Sequence, residues 1–343
     1  MQIKGDEMNI LVEALPYLSA FKGKTVVVKY GGNAMLSDDL KNKVLQDIVF
    51  LRLAGMRPVV VHGGGPEITA MLKQAGKKSE FVSGLRVTDA ETVAIAELAL
   101  VGRTNTDLVR RLNILGGNAI GLNGKDGKLL EAKKHLADVY EDGQVNLVDI
   151  GFVGTVDKIN TDLLNLLIQN DYIPVIAPIG LGADGETYNI NADSVAGEVA
   201  GALKAEKLLM LTDVRGIYED HHDESTFLST LTFEKAHELI IKGSIDGGMI
   251  PKVKACITAL SGGAHKTHII DGRREHSILQ EIFSDEGVGG VVIALDALFG
   301  SSGSRGAQQS GQQDQADAQQ AERTAKRSIG GHKGHPSFCF MLP

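Results

Sequence analysis

Short, continuous apolar runs that end in glycine are the feature that most limits how this chain can fold. Residues 25–29 read TVVVK and lead into Tyr30-Gly31-Gly32, and residues 58–61 read PVVV and lead into His62 and three glycines. An uninterrupted β-branched run is typical of a strand buried on both faces, as in a parallel sheet. The residues between the two runs, 38–56, have the apolar spacing of a helix.

The same strand, turn and helix unit recurs along the chain. Further short apolar runs, separated by helical segments, lie at residues 118–122, 173–176, 207–211 and 268–270. This alternation predicts an α/β fold with a mainly parallel central sheet and helices on both faces. Hairpins are predicted around residues 81–87, for 128–131 with 145–148, and around 179–188, close to the carboxyl edge where open sheets bind ligands.

Composition excludes several classes of protein. The formal net charge is −8, which disfavours a broad nucleic-acid surface. The only cysteines are Cys256 and Cys339, so there is no disulfide framework, and a reducing cytoplasm is the simplest location. The first ten residues carry acids where a signal peptide needs an apolar core, and no apolar run reaches the length of a membrane span. The sequence therefore predicts a cytoplasmic protein without nucleic-acid or membrane partners.

The chain divides into four predicted segments. Residues 1–20 include a helical pattern that precedes the first strand and serves either oligomerisation or ordinary packing. Residues 21–177 and 178–298 form two lobes, because Pro174 and Pro178 bracket the passage between them. Residues 299–343 are rich in Gln, Ser, Ala and Gly and lack periodic apolar positions, which predicts a disordered low-complexity tail.

Lysines beside glycine-rich turns are the first candidates for chemistry. Lys29 ends a buried strand and precedes Gly31-Gly32, whose amides can approach a phosphate closely. The turn His62–Gly65 leads into Pro66, which suits the anion-attracting N-terminus of a helix. Lys252 follows two glycines in the first turns of another predicted helix. No Walker sequence is present, but the pattern predicts that a polyphosphate binds here.

Three further candidates remain open on the residues alone. Arg86, in GLRVTD, can grip a carboxylate with its planar fork or form a surface salt bridge. Asp193, in the first turn after a capping Asn191, can order lysines or help hold magnesium. The strand end and loop at residues 211–217 suit a nucleotide base and ribose. No ligand spacing for a zinc site is present.

Six stretches taken together resemble the amino acid kinase family over roughly residues 9–294. They read VVVKYGGNAM, VVVHGGGPEI, GLRVTD, NINAD, LTDVRGI and GGMIPKV, and they occur in the order and spacing of that family. The resemblance implies an αβα sandwich that uses ATP and Mg²⁺ to phosphorylate the γ-carboxylate of N-acetyl-L-glutamate in arginine biosynthesis. A carboxylate is already a nucleophile, so positioning and charge neutralisation suffice and no general base is needed.

The resemblance also implies roles for individual residues. Lys29 and Lys252 are expected to stabilise the transferring phosphoryl group, and Asp193 to hold both lysines. The residues expected to contact phosphates or N-acetylglutamate are Gly31, Gly32, Gly64, Gly65, Arg86 and Asn189. Those expected to lie along ATP are Thr212, Asp213, Val214, Gly216, Ile217, Gly248 and Met249. On this scheme the first lobe binds acetylglutamate and forms dimers, and the second binds ATP.

Regulation is a further expectation from the resemblance. The N-terminal helix and HIIDGRREHSILQEIFSDEGVG are similar to the corresponding parts of arginine-inhibited, hexameric members of the family. The residues that match their effector site are Tyr17, His268, Glu281 and Gly287. The expected assembly is a homo-oligomer, either a dimer or a hexamer built as a trimer of dimers, and a PII-type signalling protein is a further candidate partner. The sequence departs from the family at Gly289-Gly290, where a Gly-Thr pair is usual.

Two other functions remain open on the sequence. One is a kinase of the same fold that acts on a different acidic amino acid, such as N-blocked aminoadipate, or on aspartate or glutamate. The other is a non-catalytic arginine sensor, although this chain retains Lys29, Asp193 and Lys252. A dehydrogenase is disfavoured because HGGGPE lacks the spacing of a dinucleotide-binding loop.

Overall fold

The computed structural model describes residues 9, 12–32, 37–141, 144–220, 223–284 and 291–294. Apart from Glu141 and Gln144, these residues belong to one compact unit. The strands are β1 Thr25–Tyr30, β2 Arg57–His62, β3 Phe81–Val82, β4 Leu85–Arg86, β5 Ala119–Asn123, β6 Leu130–Glu141, β7 Gln144–Ile159, β8 Ile173–Ala177, β9 Ile179–Gly182, β10 Thr187–Ile190, β11 Lys207–Thr212, β12 Ile217–Tyr218, β13 Phe227–Leu228, β14 Thr230–Thr232, β15 Lys266–Asp271 and β16 Val291–Ala294.

The α-helices are α1 Leu15–Phe21, α2 Asp38–Leu53, α3 Gly65–Gln74, α4 Ala90–Glu97, α5 Thr106–Ile114, α6 Thr161–Gln169, α7 Ala192–Ala202, α8 Phe233–Ile241, α9 Met249–Ser261 and α10 Ser277–Ile282. A π-helical segment, Leu98–Asn105, joins α4 to α5, and short 3₁₀ turns lie at Asp126–Lys128 and Glu224–Thr226. None of the helices in the described part of the chain is long and apolar enough to cross a membrane.

An eight-stranded sheet forms the centre, in the order β14-β16-β15-β11-β1-β2-β8-β5. The pairs from β15 to β5 are all parallel, and β16 is antiparallel to β15. In β1, Val26 and Val28 belong to the apolar cluster formed with α2 and α5, whereas Val27 belongs to the one formed with α6 and α7. Because successive strand residues face opposite sides, both faces are covered by helices. The predicted fold class is confirmed.

The register of the central strands brings the glycine turns to one edge. Lys29 lies opposite Val61 of β2 and Met210 of β11, and Tyr30 lies opposite His62. The three strands are parallel, so their carboxyl ends meet at the same edge of the sheet. The turns that follow β1, β2 and β11 are therefore neighbours, which is where open α/β sheets bind ligands.

The predicted hairpins are present, but one is much longer than expected. Strands β6 and β7 span residues 130–141 and 144–159, and with β9 and β10 they form a four-stranded sheet that closes on itself. Residues 145–149 of β7 are exposed, so no buried apolar run marked this length in the sequence. The short pair β3–β4 lies within the predicted hairpin at 81–87.

The N-terminal helix predicted before β1 is present as α1, with proline in its first turn and no buried residue. The earlier part of that prediction, residues 1–8 and 10–11, lies outside the described residues, as do Gly287, Gly289-Gly290 and the predicted tail at 299–343. The division into lobes at residue 177 stays a prediction, since β8 and β11, on either side of it in sequence, belong to the same sheet.

Candidate active site

Two lysines and one aspartate meet at the carboxyl edge of the sheet. Lys29 Nζ lies 2.8 Å from Asp193 Oδ1, and Lys252 Nζ lies 3.0 Å from Asp193 Oδ2. The aspartate and Lys29 are buried, and the Lys252 side chain is 15% exposed. Asn191 caps α7 by accepting from the amides of Asp193 and Ser194, which fixes the first turn that carries the aspartate.

Close packing of α7 on α9 sets the distance between Asp193 and Lys252. A Cβ added to Gly197 would lie 2.5 Å from the carbonyl oxygen of Ala255, and one added to Gly262 would lie 2.8 Å from the Cα of Gly201. Only glycine allows the two backbones to approach this closely. The small residues of ADSVAGEVAGA therefore allow the start of α7, which carries Asp193, to lie next to Lys252 of α9.

The charges of this cluster stabilise one another. Burial alone would raise the pKa of Asp193, but the ammonium groups of Lys29 and Lys252 hold its pKa below the ordinary value. The carboxylate therefore stays ionised across the physiological range. Two ammonium groups against one carboxylate leave a net positive charge, which favours the binding of an anion.

The two glycine turns lie against each other beside Lys29. The amide of Gly63 donates to the carbonyl oxygen of Tyr30 at 2.8 Å. A Cβ added to Gly31 would lie 3.1 Å from both Gly63 N and Lys29 Nζ. Gly32 has a φ of 70°, a conformation that side chains rarely adopt. The two turns are thus in contact, and Gly31 lies within a few ångströms of an ammonium group.

Arg86, from the β3–β4 hairpin, is buried at the start of α3 rather than paired on the surface. Its guanidinium donates to Ser79 Oγ at 2.5 Å, to Thr69 Oγ1 at 2.9 Å and to the carbonyl oxygen of Gly65 at 3.2 Å. Burial lowers its pKa, though not enough for an arginine to lose its charge. Asn189 lies in β10 opposite Ile179 and is half-buried.

The residues predicted to lie along a nucleotide occupy the end of β11 and the start of α9. Thr212 is buried, and its hydroxyl donates to Asp213 Oδ1 at 3.4 Å. Val214 is 41% exposed, whereas Gly216 and Ile217 are buried. Gly248 is the N-cap of α9 and Met249 is its first residue, so both lie at the positive end of the helix dipole, one turn before Lys252.

A second buried cluster joins β15, β11 and α10. His268 Nδ1 lies 2.7 Å from Glu281 Oε1, and Lys207 Nζ lies 3.3 Å from the same oxygen. Burial lowers the pKa of His268 and of Lys207, and Glu281 opposes both shifts. Tyr17 of α1 contacts Phe283 edge to face, with ring centroids 6.3 Å apart. The structure thus brings two predicted effector residues, His268 and Glu281, together with Lys207. Lys207 was not predicted from the sequence, although a lysine at the start of an apolar strand could have indicated a buried ion pair.

The fold and the lysine–aspartate cluster are those of a phosphoryl-transferring class of protein. Comparison with known protein families supports the same class. The model of the amino acid kinase family matches residues 24–271. The chain therefore belongs to the amino acid kinase family, and it is a kinase.

Within the family the chain is similar to acetylglutamate kinases. It is 55% identical to that of Moorella thermoacetica over 288 residues, which cover 84% of this chain and 97% of the relative. It is 52% identical to that of Caldanaerobacter subterraneus over 291 residues, covering 84% and 94%.

Two solved structures have the same fold. The N-acetylglutamate synthase of Neisseria gonorrhoeae, complexed with coenzyme A and N-acetylglutamate, has a TM-score of 0.71 at 26% identity and covers 96% of this chain and 72% of its own. The carbamate kinase of Giardia lamblia bound to AMP-PNP has a TM-score of 0.55 at 18% identity, with coverages of 79% and 98%.

Proposed function

We propose that this protein transfers the γ-phosphoryl group of ATP to the γ-carboxylate of N-acetyl-L-glutamate, as a step of arginine biosynthesis. The observation that carries the proposal is the buried Lys29–Asp193–Lys252 cluster beside two glycine turns. The choice of acceptor is supported by more than 50% identity to acetylglutamate kinases across nearly their whole length.

The chemistry requires charge and position rather than a base. A carboxylate oxygen of the acceptor forms a bond to the γ-phosphorus, while the bond from that phosphorus to the bridging oxygen breaks and ADP leaves. Negative charge accumulates on the transferring oxygens, and the two ammonium groups lie where they can neutralise it. Asp193 keeps the ammonium groups apart from each other and in place, because each of its oxygens holds one of them.

The proposed binding roles are those that the family resemblance implies. Gly31, Gly32 and Gly64 offer amides to the phosphates, and support comes from Gly31, where an added Cβ would lie 3.1 Å from Lys29 Nζ. Arg86 uses three N–H donors on protein oxygens, and a guanidinium has five, which leaves donors for the acceptor together with Gly65 and Asn189. The nucleotide lies along residues 212–217 and the start of α9, on the β11 side of the cluster.

Magnesium fits this site as an ion carried by the nucleotide. The described residues contain no group of three or more His, Cys, Asp or Glu side chains that could hold a metal. Both oxygens of Asp193 are already engaged by lysines. Mg²⁺ commonly binds through substrate phosphates and water with few protein ligands, and there it would neutralise charge on the β- and γ-phosphates.

A substrate panel tests the proposal. ADP formation is measured with Mg²⁺-ATP and, in parallel, N-acetylglutamate, N-acetylaminoadipate, glutamate and aspartate, and the acyl phosphate is trapped with hydroxylamine. We expect the highest kcat/KM with N-acetylglutamate and a hydroxamate only where ADP forms. Faster turnover of aminoadipate would contradict the proposed acceptor, and no turnover of any acceptor would favour an arginine sensor.

We further propose arginine inhibition through the cluster of Lys207, His268 and Glu281, in a hexamer assembled through α1. Support comes from the convergence of buried charged groups on α10 and from the contact of Tyr17 with Phe283. Exposed Val12, just before α1, and exposed Leu15, within it, offer an apolar surface to a second copy. A PII-type partner and a cytoplasmic location are proposed on the resemblance and composition alone.

Kinase activity measured with and without millimolar arginine tests the inhibition, and light scattering tests the assembly. We expect inhibition of the wild type and its loss in Glu281→Gln, which keeps the shape of the side chain but removes the charge. Removal of residues 1–20 is expected to convert hexamers to dimers without loss of kinase activity. Unchanged activity of the wild type in arginine would refute the effector site.

A further inference from the structure

A π-helical segment, Leu98–Asn105, packs against the second glycine turn, His62–Gly65. The helix that begins at Ala90 continues through Leu98–Asn105 to Ile114, with helical backbone angles at both junctions of the π segment. A Cβ added to Gly64 would lie 2.6 Å from Leu100 Cδ2 and 3.3 Å from Thr104 Oγ1. A π turn closes over five residues, so side chains four and five apart can face the same neighbour, and such turns recur at functional sites.

The last residue of the π segment, Asn105, begins a chain of hydrogen bonds that ends in that turn. Its Nδ2 donates to the carbonyl oxygen of Val175 at 2.8 Å and lies 3.0 Å from His62 Nε2. His62 Nδ1 lies 2.8 Å from the carbonyl oxygen of Gly63. Asn105 is 4% exposed and His62 is fully buried, so water does not compete for these bonds. Gly121 makes room, since a Cβ there would lie 2.1 Å from Asn105 Oδ1.

The partners determine the tautomer of His62. An amide nitrogen donates and cannot accept, so the His62 Nε2 that receives it carries no proton. The remaining proton is on Nδ1, which donates to the Gly63 carbonyl. Burial lowers the pKa of His62 to about 4, which keeps the ring neutral near neutral pH. The two N–H groups of the Asn105 amide and the N–H of His62 thus each have an acceptor.

The chain of bonds controls how the turn presents its next amide. The N–H of Gly63 is held by the carbonyl oxygen of Tyr30, and its C=O is held by His62. The Gly63–Gly64 peptide is trans, so the N–H of Gly64 points away from that C=O. Since that C=O is held by the buried His62, the Gly64 N–H is directed to the opposite side of the peptide, on the turn whose Gly63 lies beside Gly31.

We infer that Asn105 is a positioning residue for phosphoryl transfer, which acts through His62 to keep the Gly64 amide directed at the acceptor and the transferring phosphate. This inference rests on the proposed function and extends it to a residue that touches neither substrate. The π segment supplies the geometry, because it delivers Leu100, Thr104 and Asn105 to one turn.

Asn105→Ala tests the inference against a matched control, Asn113→Ala. Asn113 lies on α5 of the same continuous helix, and its amide also makes two bonds to a neighbouring strand, at Ala119, but it has no link to the glycine turn. We expect Asn105→Ala to lower kcat/KM for N-acetylglutamate about 100-fold, as for a misplaced reacting group. The Kd for AMP-PNP should stay within about twofold. Equal losses of kcat/KM in the two folded variants would overturn the inference.

Two substitutions of His62 separate the ends of the chain of bonds. In His62→Asn the amide nitrogen replaces Nδ1 and can still donate to the Gly63 carbonyl. In His62→Gln the side-chain oxygen can accept from Asn105, but the donor to Gly63 is lost. We expect His62→Asn to retain about tenfold higher kcat/KM than His62→Gln at similar thermal midpoints. The reverse order would contradict control through the Gly63 carbonyl.

Long-range ¹H–¹⁵N spectra of His62 test the bonds without any substrate, so that this inference and the proposed function can fail separately. The wild type should show a neutral ring protonated at Nδ1, and Asn105→Ala should show a mixture of tautomers. A wild-type ring protonated at Nε2 would overturn the inference even in an active kinase. An inactive wild type with the expected tautomer, by contrast, would count against the acceptor and leave the hydrogen-bond chain supported.

Discussion

At the scale of single residues, Asp193 decides how the site carries charge. A buried ammonium group without a partner is costly, and a buried pair has no charge to offer a substrate. One carboxylate shared by Lys29 and Lys252 avoids both outcomes, because each lysine has a partner and the cluster keeps one net positive charge. The arrangement therefore suits a reaction in which negative charge arrives with the substrates and moves during transfer.

Removal of Lys252 should mainly slow the chemical step. Lys252→Ala deletes an ammonium group that we propose neutralises charge on the transferring oxygens, so we expect kcat to fall about 10²–10³-fold, or roughly 3–4 kcal/mol, with a smaller change in KM. Lys254→Ala is the matched control, since Lys254 is exposed on the same helix. Steady-state kinetics with N-acetylglutamate check this, and a near-normal kcat in Lys252→Ala would refute the catalytic role.

Asp193→Asn should lower both activity and stability. The substitution leaves two partly or fully buried ammonium groups without their carboxylate, so we expect a loss of about 3–5 kcal/mol in the free energy of unfolding at neutral pH. Because the native pKa of Asp193 lies below its ordinary 3.8, its contribution is present above that value and is lost as the pH falls through the native pKa. The gap to wild type should therefore persist from neutral pH down to about pH 4 and shrink below it.

Urea unfolding at several pH values measures that gap, and Asp162→Asn is its control. Asp162 occupies the same position in α6 as Asp193 does in α7, two residues after a capping asparagine, but it is exposed. It should change the free energy of unfolding by less than about 1 kcal/mol. A similar small effect in Asp193→Asn would show that the lysines do not depend on the carboxylate.

At the scale of elements, the close contact between α7 and α9 fixes the distance between Asp193 and Lys252. Gly197→Ala places a Cβ 2.5 Å from the Ala255 carbonyl, so the helices must separate. We expect a loss of about 1–3 kcal/mol in stability, as for overpacking, and a fall in kcat as Lys252 moves from Asp193. Thermal midpoints and kcat of Gly197→Ala and the wild type check this, and an unchanged kcat in Gly197→Ala would show that this packing does not affect catalysis.

Elements whose signal is local were predictable from the sequence, and contacts between distant segments were not. Strands β1 and β2 and their glycine turns follow from runs of fewer than ten residues, which is why Lys29 could be assigned to the sheet edge. Asn105 and His62 are 43 residues apart, and the π segment that joins them has no local pattern. The contact between buried Asp47 and partly exposed His276 spans 229 residues. Such contacts depend on strand order, which sequence periodicity does not encode.

At the scale of the whole molecule, the site draws on nearly the full length of the described chain. Lys29 comes from the first strand and Lys252 from the ninth α-helix, and the cluster around Glu281 lies in the tenth. No short segment can therefore support catalysis by itself. The acetylglutamate kinase of Moorella thermoacetica aligns over 288 residues, which is 97% of its own length and 84% of this chain, so part of this chain has no counterpart in that alignment.

A chain that ends at residue 298 should accordingly keep full kinase activity. The stretch removed is rich in Gln, Ser, Ala and Gly, so it has little apolar surface to bury. We expect kcat, both KM values and the response to arginine to stay within about twofold of the full chain. A chain that ends at residue 284 is the control, because it also loses β16, which pairs with both β14 and β15, and its thermal midpoint should fall. A large change in KM or arginine response on removal of 299–343 alone would show that this stretch acts on the site, contrary to its composition.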